Sequence, residues 1–503
     1  MTSENTGTCL YLNMRYLIPI LSFFVYPLLT GTVFADVAPE KPPNIVMIVV
    51  DDMRFDEFGA GGHPFLETPQ IDLMAEQGVS FSRAYAVTPL CSPNRASLLT
   101  GQYPSRHGVL DNTSRSNLSH RLELFPRLLQ SAGYRTAHVG KWHMGNDPSP
   151  RPGYDYWVSY AGHGKLINPE LYEQGGTRVV DGYMTDILTK RAVQFIHDSA
   201  NQPFFLYIGH KAVHPEASQR NDGSADLSVK REFIPAKRHQ GKYKNAEVNT
   251  LERYVATQEF SPLNESLMIR HLLERSDERW DSWINSGFAA DTIRARAEMI
   301  LSVDESLGAV LETLQKKGLL DNTLIIFTSD NGYFYGEHGL TIERRYPYEE
   351  AIKVPLIIRK PKTETTPNSS LIANTLVASV DLAPTILEYA NIDIPLTMQG
   401  QSLHSVLEGG DKAAREAVFV EHFAHENPFT WTANIDYKAI ITQQYKLIKW
   451  TRYDEEYELY NLEEDPGETN NLADDDVYKS RHAELLDRLR TETLKALGLL
   501  PGS

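Results

Sequence analysis

The chain has 503 residues, more than one small core can organise, and this length fits a large domain with a smaller companion. Its 41% hydrophobic and 23% charged residues exclude a disordered or fibrous chain. A formal net charge of −17 excludes nucleic acid as the natural partner, so any anion site must be built from local cations, with Arg95, Lys141, Lys211, Arg344 and Arg345 as candidates.

Arg15 opens a largely apolar run from Tyr16 to Leu29, and Val33-Phe34-Ala35 offers small residues at cleavage positions. This reads as a secretory signal peptide over residues 1–35. Pro19, Pro27 and the short apolar core count against a single-pass anchor, and no second run of membrane length follows. The expected product is exported, periplasmic or secreted (lysosomal-type if eukaryotic), with no stable membrane anchor. Of two cysteines, Cys9 lies in the leader, so the product keeps Cys91 alone and has no disulfide framework. A lone thiol in an exported protein is open to oxidation.

The β-branched apolar run Asn44-Ile45-Val46-Met47-Ile48-Val49-Val50 predicts a buried parallel strand. It ends in Asp51-Asp52, at the carboxyl end where open α/β sheets bind ligands. On spacing alone this pair reads either as metal ligands or as a helix cap with a solvated charge. A helix over Pro69 to Gln77 and a strand from Val79 lead to Leu90-Cys91-Ser92-Pro93-Asn94-Arg95-Ala96-Ser97-Leu98-Leu99-Thr100-Gly101. Here Ser92 serves as N-cap and Pro93 as the first helical residue. Cys91 then sits just outside a helix N-terminus, where free N–H groups favour an anion, and Arg95 lies one turn further in.

Cys91-Ser92-Pro93-Asn94-Arg95, with Ala96 to Gly101 behind it, resembles the signature of the type I sulfatases, in the alkaline phosphatase superfamily. The resemblance implies that Cys91 is oxidised by a formylglycine-generating enzyme to Cα-formylglycine. The hydrate of that aldehyde would be the nucleophile and would also face the metal. Such a conversion removes the liability of the lone thiol.

Leu122 to Ala132 predicts an amphipathic helix closed by Gly133, followed by the strand Arg135 to Gly140. Lys141 and His143 are two apart and share a face in extended backbone. Gly-Lys-Trp-His-Met-Gly resembles the second sulfatase motif, which implies that Lys141 and His143 contact formylglycine and sulfate. A helix from Met184 to Ser199 and a strand from Pro203 to Gly209 deliver His210-Lys211-Ala212-Val213-His214. The resemblance gives His214 to the substrate's sulfate and leaves His210 structural. Residues from about Glu216 to Ala289 are polar and without period, an insertion suited to carrying specificity. Trp280 and Trp283 either stack on a sugar ring or pack the insertion onto the body.

Met299, Val303, Leu307, Val310, Leu311 and Leu314 recur at helical spacing up to Lys316-Lys317-Gly318. The strand Thr323 to Ser329 then ends in Asp330-Asn331, hard oxygen donors that suit Ca²⁺, or less well Mg²⁺. The resemblance implies calcium held by Asp51, Asp52, Asp330 and Asn331. Glu343 to Arg359 resembles a further family block, closest to N-acetylglucosamine-6-sulfatases, with Arg344 where many relatives carry lysine. An arginine binds sulfate bidentately but cannot give up a proton, which moves the leaving-group acid to His214, with Asp330 as its rival. A helix from Val380, a strand at Ala417 to Glu421, a hairpin over Tyr445 to Leu462 and a polar helix from about Val477 to Leu497 complete the chain.

The expected fold is α/β, a large, largely parallel sheet sandwiched by helices, with a small C-terminal antiparallel sheet plus helix. The expected boundaries are 36–411 for the catalytic domain, with its insertion at about 216–289, and 412–503 for the C-terminal subdomain. The expected reaction is hydrolysis of sulfate monoesters on a sulfated glycan. Cys91, Arg95, Lys141, His143 and His214 are its catalytic residues, and Lys141, His214 and Arg344 bind substrate. Two other readings of the same residues are a formylglycine-dependent phosphodiesterase or phosphonate monoester hydrolase, and an inactive sulfated-glycan binder.

Overall fold

The computed structural model describes residues 41–113, 116–220, 225–226, 232–248, 288–335, 337–340, 344–362, 371–410, 415–424, 435–451 and 456–500. The signal peptide, Trp280, Trp283 and most of the insertion lie outside them. Among the described residues no helix is long and apolar enough to cross a membrane.

In chain order the elements that place the site are β1 (Asn44–Val50), β2 (Val79–Tyr85), α1 (Cys91–Thr100), α2 (Phe125–Ser131), β3 (Arg135–Gly140) and β4 (Tyr156–Val158). They continue with α3 (Met184–Ser199), β5 (Phe204–Gly209), α4 (Phe288–Lys316), β6 (Thr323–Ser329), β7 (Leu356–Arg359), β8 (Leu371–Ala378) and α5 (Leu382–Tyr389). The large sheet has eight strands in the order β8-β2-β7-β6-β1-β5-β3-β4. Only β7 is antiparallel to its neighbours.

Every residue of β1 is buried, and alternate residues feed opposite cores. Val46, Ile48 and Val50 pack with Leu188 and Ile196 of α3 and Ile300 and Leu307 of α4. Ile45, Met47 and Val49 pack with Leu98 and Leu99 of α1, Leu129 of α2 and Ile386 of α5. A strand covered on both faces has no polar side to offer, which is why its sequence is a continuous apolar run. β1 pairs with β6 without slippage from Asn44↔Thr323 to Val50↔Ser329, so Asp51-Asp52 and Asp330-Asn331 emerge side by side. β5 and β3 stop at the same level, Val49 opposite Gly209 and Gly209 opposite Gly140.

The second sheet runs antiparallel in chain order, β9 (Val418–His422), β10 (Tyr437–Ile441), β11 (Tyr445–Trp450) and β12 (Tyr457–Asn461). Helix α6 (Lys479–Ala496) covers it with Leu485, Leu489 and Ala496. The expected fold class is therefore the observed one.

Three local expectations need correction. The helix expected over Leu122 to Ala132 begins at Phe125, where Pro126 occupies the first turn and forces the start. Helix α1 begins at Cys91 itself, and Ser92 does not cap it: its hydroxyl donates to the carbonyl of His143, while its N–H donates to Asn112 Oδ1 at 3.0 Å. His143 has φ of +63°, so the extended alternation expected for Lys141 and His143 breaks at His143.

Candidate active site

The site is built on the level edge of the large sheet. Gly140 and Gly209 make that edge tight, because a Cβ on Gly140, whose φ is +116°, would meet Gly209 O at 2.1 Å. β3 and β5 can therefore release Lys141, His143, Lys211 and His214 beside the acids of β1 and β6.

Cys91 opens α1, all of whose residues are buried. Its Sγ lies 3.5 Å from Asp51 Oδ1, 3.9 Å from Asp52 Oδ1 and 3.5 Å from Arg344 Nη2. Burial pushes the thiol up to about 12 against the pull of Lys141 and Arg344. It is a thiol at neutral pH, so as an unmodified cysteine this side chain is no nucleophile.

The carboxylates around it are matched by cations. Arg95 Nε donates to Asp330 Oδ2 at 2.8 Å, and its Nη1 donates to Lys141 O at 3.0 Å and Tyr207 Oη at 3.2 Å. Lys141 Nζ pairs with Asp51 Oδ2, and Arg344 Nε lies 2.8 Å from Asp52 Oδ1. Burial works against the charges of Arg95 and Arg344, but the facing carboxylates outweigh it and hold both firmly cationic. Asn94 Nδ2 donates to Asp330 O at 2.6 Å, which ties the cysteine helix to the end of β6.

The same carboxylates suit a hard cation. Donor atoms of Asp51, Asp52, Cys91 and Asp330 all lie within 4.8 Å of one another. Asn331 Nδ2 donates to Asp52 Oδ1 at 2.7 Å, which fixes the amide and frees its oxygen. Asn331 Oδ1 and Asp52 Oδ2 are buried without a hydrogen-bond partner, and two such oxygens beside the carboxylates of Asp51 and Asp330 are what a hard divalent ion would satisfy. A further donor cluster, His338, Glu350 and Glu468, has a built-in cation, since Lys446 Nζ lies 2.7 Å from Glu468 and 2.9 Å from Glu349.

Opposite the acids stands a stack of three buried imidazoles. His163 lies between His143 and His214, with ring centroids 4.3 Å from each. His143 Nε2 is 3.2 Å from Gln219 Oε1, and Gln219 Nε2 in turn points at Asn112 O at 3.5 Å. That chain puts the proton on Nε2 and leaves Nδ1, which has no partner, as a lone pair. His214 Nδ1 is 2.8 Å from Pro215 O, so its Nε2 is the lone pair, 3.9 Å from Asp52 Oδ2. Burial, reinforced by neighbouring Lys141, holds His143 and His214 well below the usual imidazole range. His163 follows for the same first reason, with His214 and His143 as its next opponents. Lys211 donates to Pro215 O at 3.1 Å and is lowered by burial to about 8.

All the expected site residues, Asp51, Asp52, Cys91, Arg95, Lys141, His143, His214, Asp330, Asn331 and Arg344, thus meet at one place. His210 is also fully buried near Arg95, with neither ring nitrogen hydrogen-bonded. Arg345 is buried as well. Sequence reasoning missed His163, Gln219 and Asn112. The one signal for His163 is its place between Gly162 and Gly164, both at positive φ, which marks a tight turn but names no function.

The sulfatase family profile matches residues 43–392, and the profile of the N-sulphoglucosamine sulphohydrolase C-terminal region matches residues 336–495. An N-acetylglucosamine-6-O-sulfatase of Bacteroides thetaiotaomicron is 32% identical over 513 residues, covering 90% of this chain and 87% of that one. A human N-acetylglucosamine-6-sulfatase is 32% identical over 418 residues, covering 78% and 69%. Among solved structures, a protein in complex with its substrate D-glucosamine-2-N,6-O-disulfate superposes with a TM-score of 0.74 at 30% identity, covering 91% of this chain and 98% of that one.

Proposed function

The chain belongs to the sulfatase family and hydrolyses sulfuric esters, and we propose that it removes the 6-O-sulfate of an N-acetylglucosamine or glucosamine residue at the end of a sulfated glycan. The observation that carries this reading is the 32% identity to the Bacteroides thetaiotaomicron N-acetylglucosamine-6-O-sulfatase along nine-tenths of the chain. The active form is the exported product of cleavage after Ala35, with Cys91 converted to Cα-formylglycine by a formylglycine-generating enzyme. Residues 36–411 form its catalytic domain and 412–503 its C-terminal subdomain.

The side chain at position 91, as hydrated aldehyde, attacks sulfur through one hydroxyl, held against Arg95 and Lys141, and that hydroxyl's proton passes to the carboxylate of Asp51, whose Oδ1 lies 3.5 Å from Cys91 Sγ. Lys141, His214 and Arg344 receive the sulfonyl oxygens, and the guanidinium of Arg344 matches two of them at once. The S–O bond to the sugar breaks, and the departing alkoxide takes a proton from His214 Nε2. His214 is neutral in the free site with Nε2 unprotonated, and it takes up that proton from water as the anionic ester binds beside it and favours its imidazolium. The second hydroxyl then gives its proton to His143 Nδ1, the C–O bond to sulfate breaks, and the aldehyde returns with release of inorganic sulfate. Asp51, Asp52, Asp330 and Asn331 would hold a calcium ion, which supplies Lewis-acid polarisation of the nucleophile's oxygen when bound.

The test compares, under one set of conditions, sulfate release from N-acetylglucosamine-6-sulfate and its 3-sulfated isomer with phenol release from an aryl phosphodiester. Preferential turnover of the 6-sulfate is the expected result. Faster turnover of the phosphodiester would overturn the assignment.

A further inference from the structure

The geometry points to Arg296 as a positioning residue that fixes the backbone of Asp52, and through it the metal-binding carboxylate. This rests on the reading of Asp52 as a calcium ligand.

Asp52 has φ of +61°, in the left-handed region that few residues besides glycine, asparagine and aspartate adopt. In this conformation its carbonyl leaves the strand ladder. Its N–H donates to Asp330 Oδ1 at 3.1 Å, and the next N–H, of Met53, donates to Ser329 Oγ at 2.9 Å. Its carbonyl accepts from Arg296 Nη2 at 2.6 Å. One side of the peptide is thus held by β6 and the other by Arg296, which reaches in from helix α4.

Arg296 is itself locked. Its Nε and Nη2 lie 2.8 and 2.6 Å from Glu57 Oε1 and Oε2, a two-pronged pair with neither side chain exposed. Glu57 also accepts the Arg54 N–H at 2.9 Å and the Tyr335 hydroxyl, and the Tyr333 ring lies 4.0 Å from the guanidinium. A buried ion pair is a poor source of net stability, because desolvation offsets its attraction. What this one accomplishes locally is to aim a spare N–H at the carbonyl of a left-handed ligand residue. A planar guanidinium serves a carboxylate and a carbonyl together, whereas a lysine ammonium offers no such fixed fork. Arg296 touches neither the sulfate pocket nor the nucleophile, so it acts only through Asp52.

The test is calorimetric titration of chelator-treated protein with Ca²⁺ alone, for wild type, R296K and the charge-neutral double variant R296M/E57Q. The double variant keeps the experiment decisive if a lone change leaves an unpaired buried charge and prevents folding. The expected result is an unchanged stoichiometry with the Ca²⁺ dissociation constant raised about 10- to 100-fold, the usual cost of losing an outer-shell partner. At limiting Ca²⁺ the variants should show lowered kcat with KM little changed, and saturating Ca²⁺ should recover activity. A lower melting temperature with wild-type Ca²⁺ affinity would mean a merely structural role and overturn the inference. A wild type that binds no Ca²⁺ would overturn the metal reading itself, and this inference with it.

Discussion

The two walls of the site differ in kind. One wall is charged: Asp51, Asp52, Asp330 and Lys141 at the ends of β1, β6 and β3, Arg95 on helix α1 and Arg344 in the segment before β7 pair with one another. The other is a neutral stack, His143, His163 and His214, whose protons are set by Gln219 and by the carbonyl of Pro215. The charged wall, with both signs side by side, is suited to binding an anion and a cation. Under the proposed function the protons of the leaving group and of aldehyde release move through the imidazole wall, and Asp51 takes only the nucleophile's. Sulfate binding draws on both walls, through Lys141 and Arg344 on one side and His214 on the other.

The largest effect is expected where both walls meet. C91A should lower sulfate release by about four orders of magnitude or more, as loss of a covalent nucleophile does, with the melting temperature little changed. A variant with a tenth of wild-type activity would show that some other group attacks sulfur.

H143A should divide the two walls. Attack can still occur, but the second hydroxyl keeps its proton, so turnover should drop about 10²- to 10⁴-fold while a sulfated form of the residue 91 peptide accumulates in mass spectra. Loss of activity without that adduct would place His143 in the attack step instead.

The buried imidazoles should also govern stability against pH. Burial lowers His107, His138 and His338 to about 3 and His210 to about 4, all below the usual value near 6.5. From pH 6.5 downward the unfolded chain takes up protons that these groups refuse when folded, so stability falls with pH by up to about 1.4 kcal/mol per unit per group. Asp304, raised by burial to about 6, and Glu468, raised by burial to about 7, act the other way, but they are outnumbered. The melting temperature should therefore decline steadily from pH 6.5 to 5. A flat profile over that range would contradict the assigned burial.

The smallest effect belongs to the charged wall. R344K retains a cation but loses the two-pronged grip, and KM should rise by less than about tenfold with kcat nearly unchanged. A rise in kcat would mean that a lysine here donates the proton assigned to His214.

The same contrast explains what the sequence made legible. β1 and β6 are apolar runs buried on both faces, and they end in Asp51-Asp52 and Asp330-Asn331 at a fixed register, so the carboxylates of the charged wall can be read from contiguous motifs. Cys91 and Arg95 share one helix and could be placed together for the same reason. The imidazole wall could be read only in part. His143 and His214 follow strands, whereas His163 sits in a glycine-flanked turn and Gln219 in the polar stretch after β5, without period or spacing to mark them. Local backbone misled as well. The positive φ of His143 cancels the alternation expected after β3, and Ser92, expected to cap, instead gives its hydroxyl to His143 O and its own N–H to Asn112 Oδ1. Arg296 was invisible because its role depends on a carbonyl 244 residues away.

The central claim is that the residue at position 91 works as an aldehyde and not as a thiol. The direct measurement is the mass of the proteolytic peptide spanning Cys91, taken from protein made in a host that carries the maturation enzyme. A loss of about 18 Da relative to the cysteine peptide, with sulfatase activity tracking the converted fraction, is the predicted result. An active protein whose peptide retains the free thiol would contradict it.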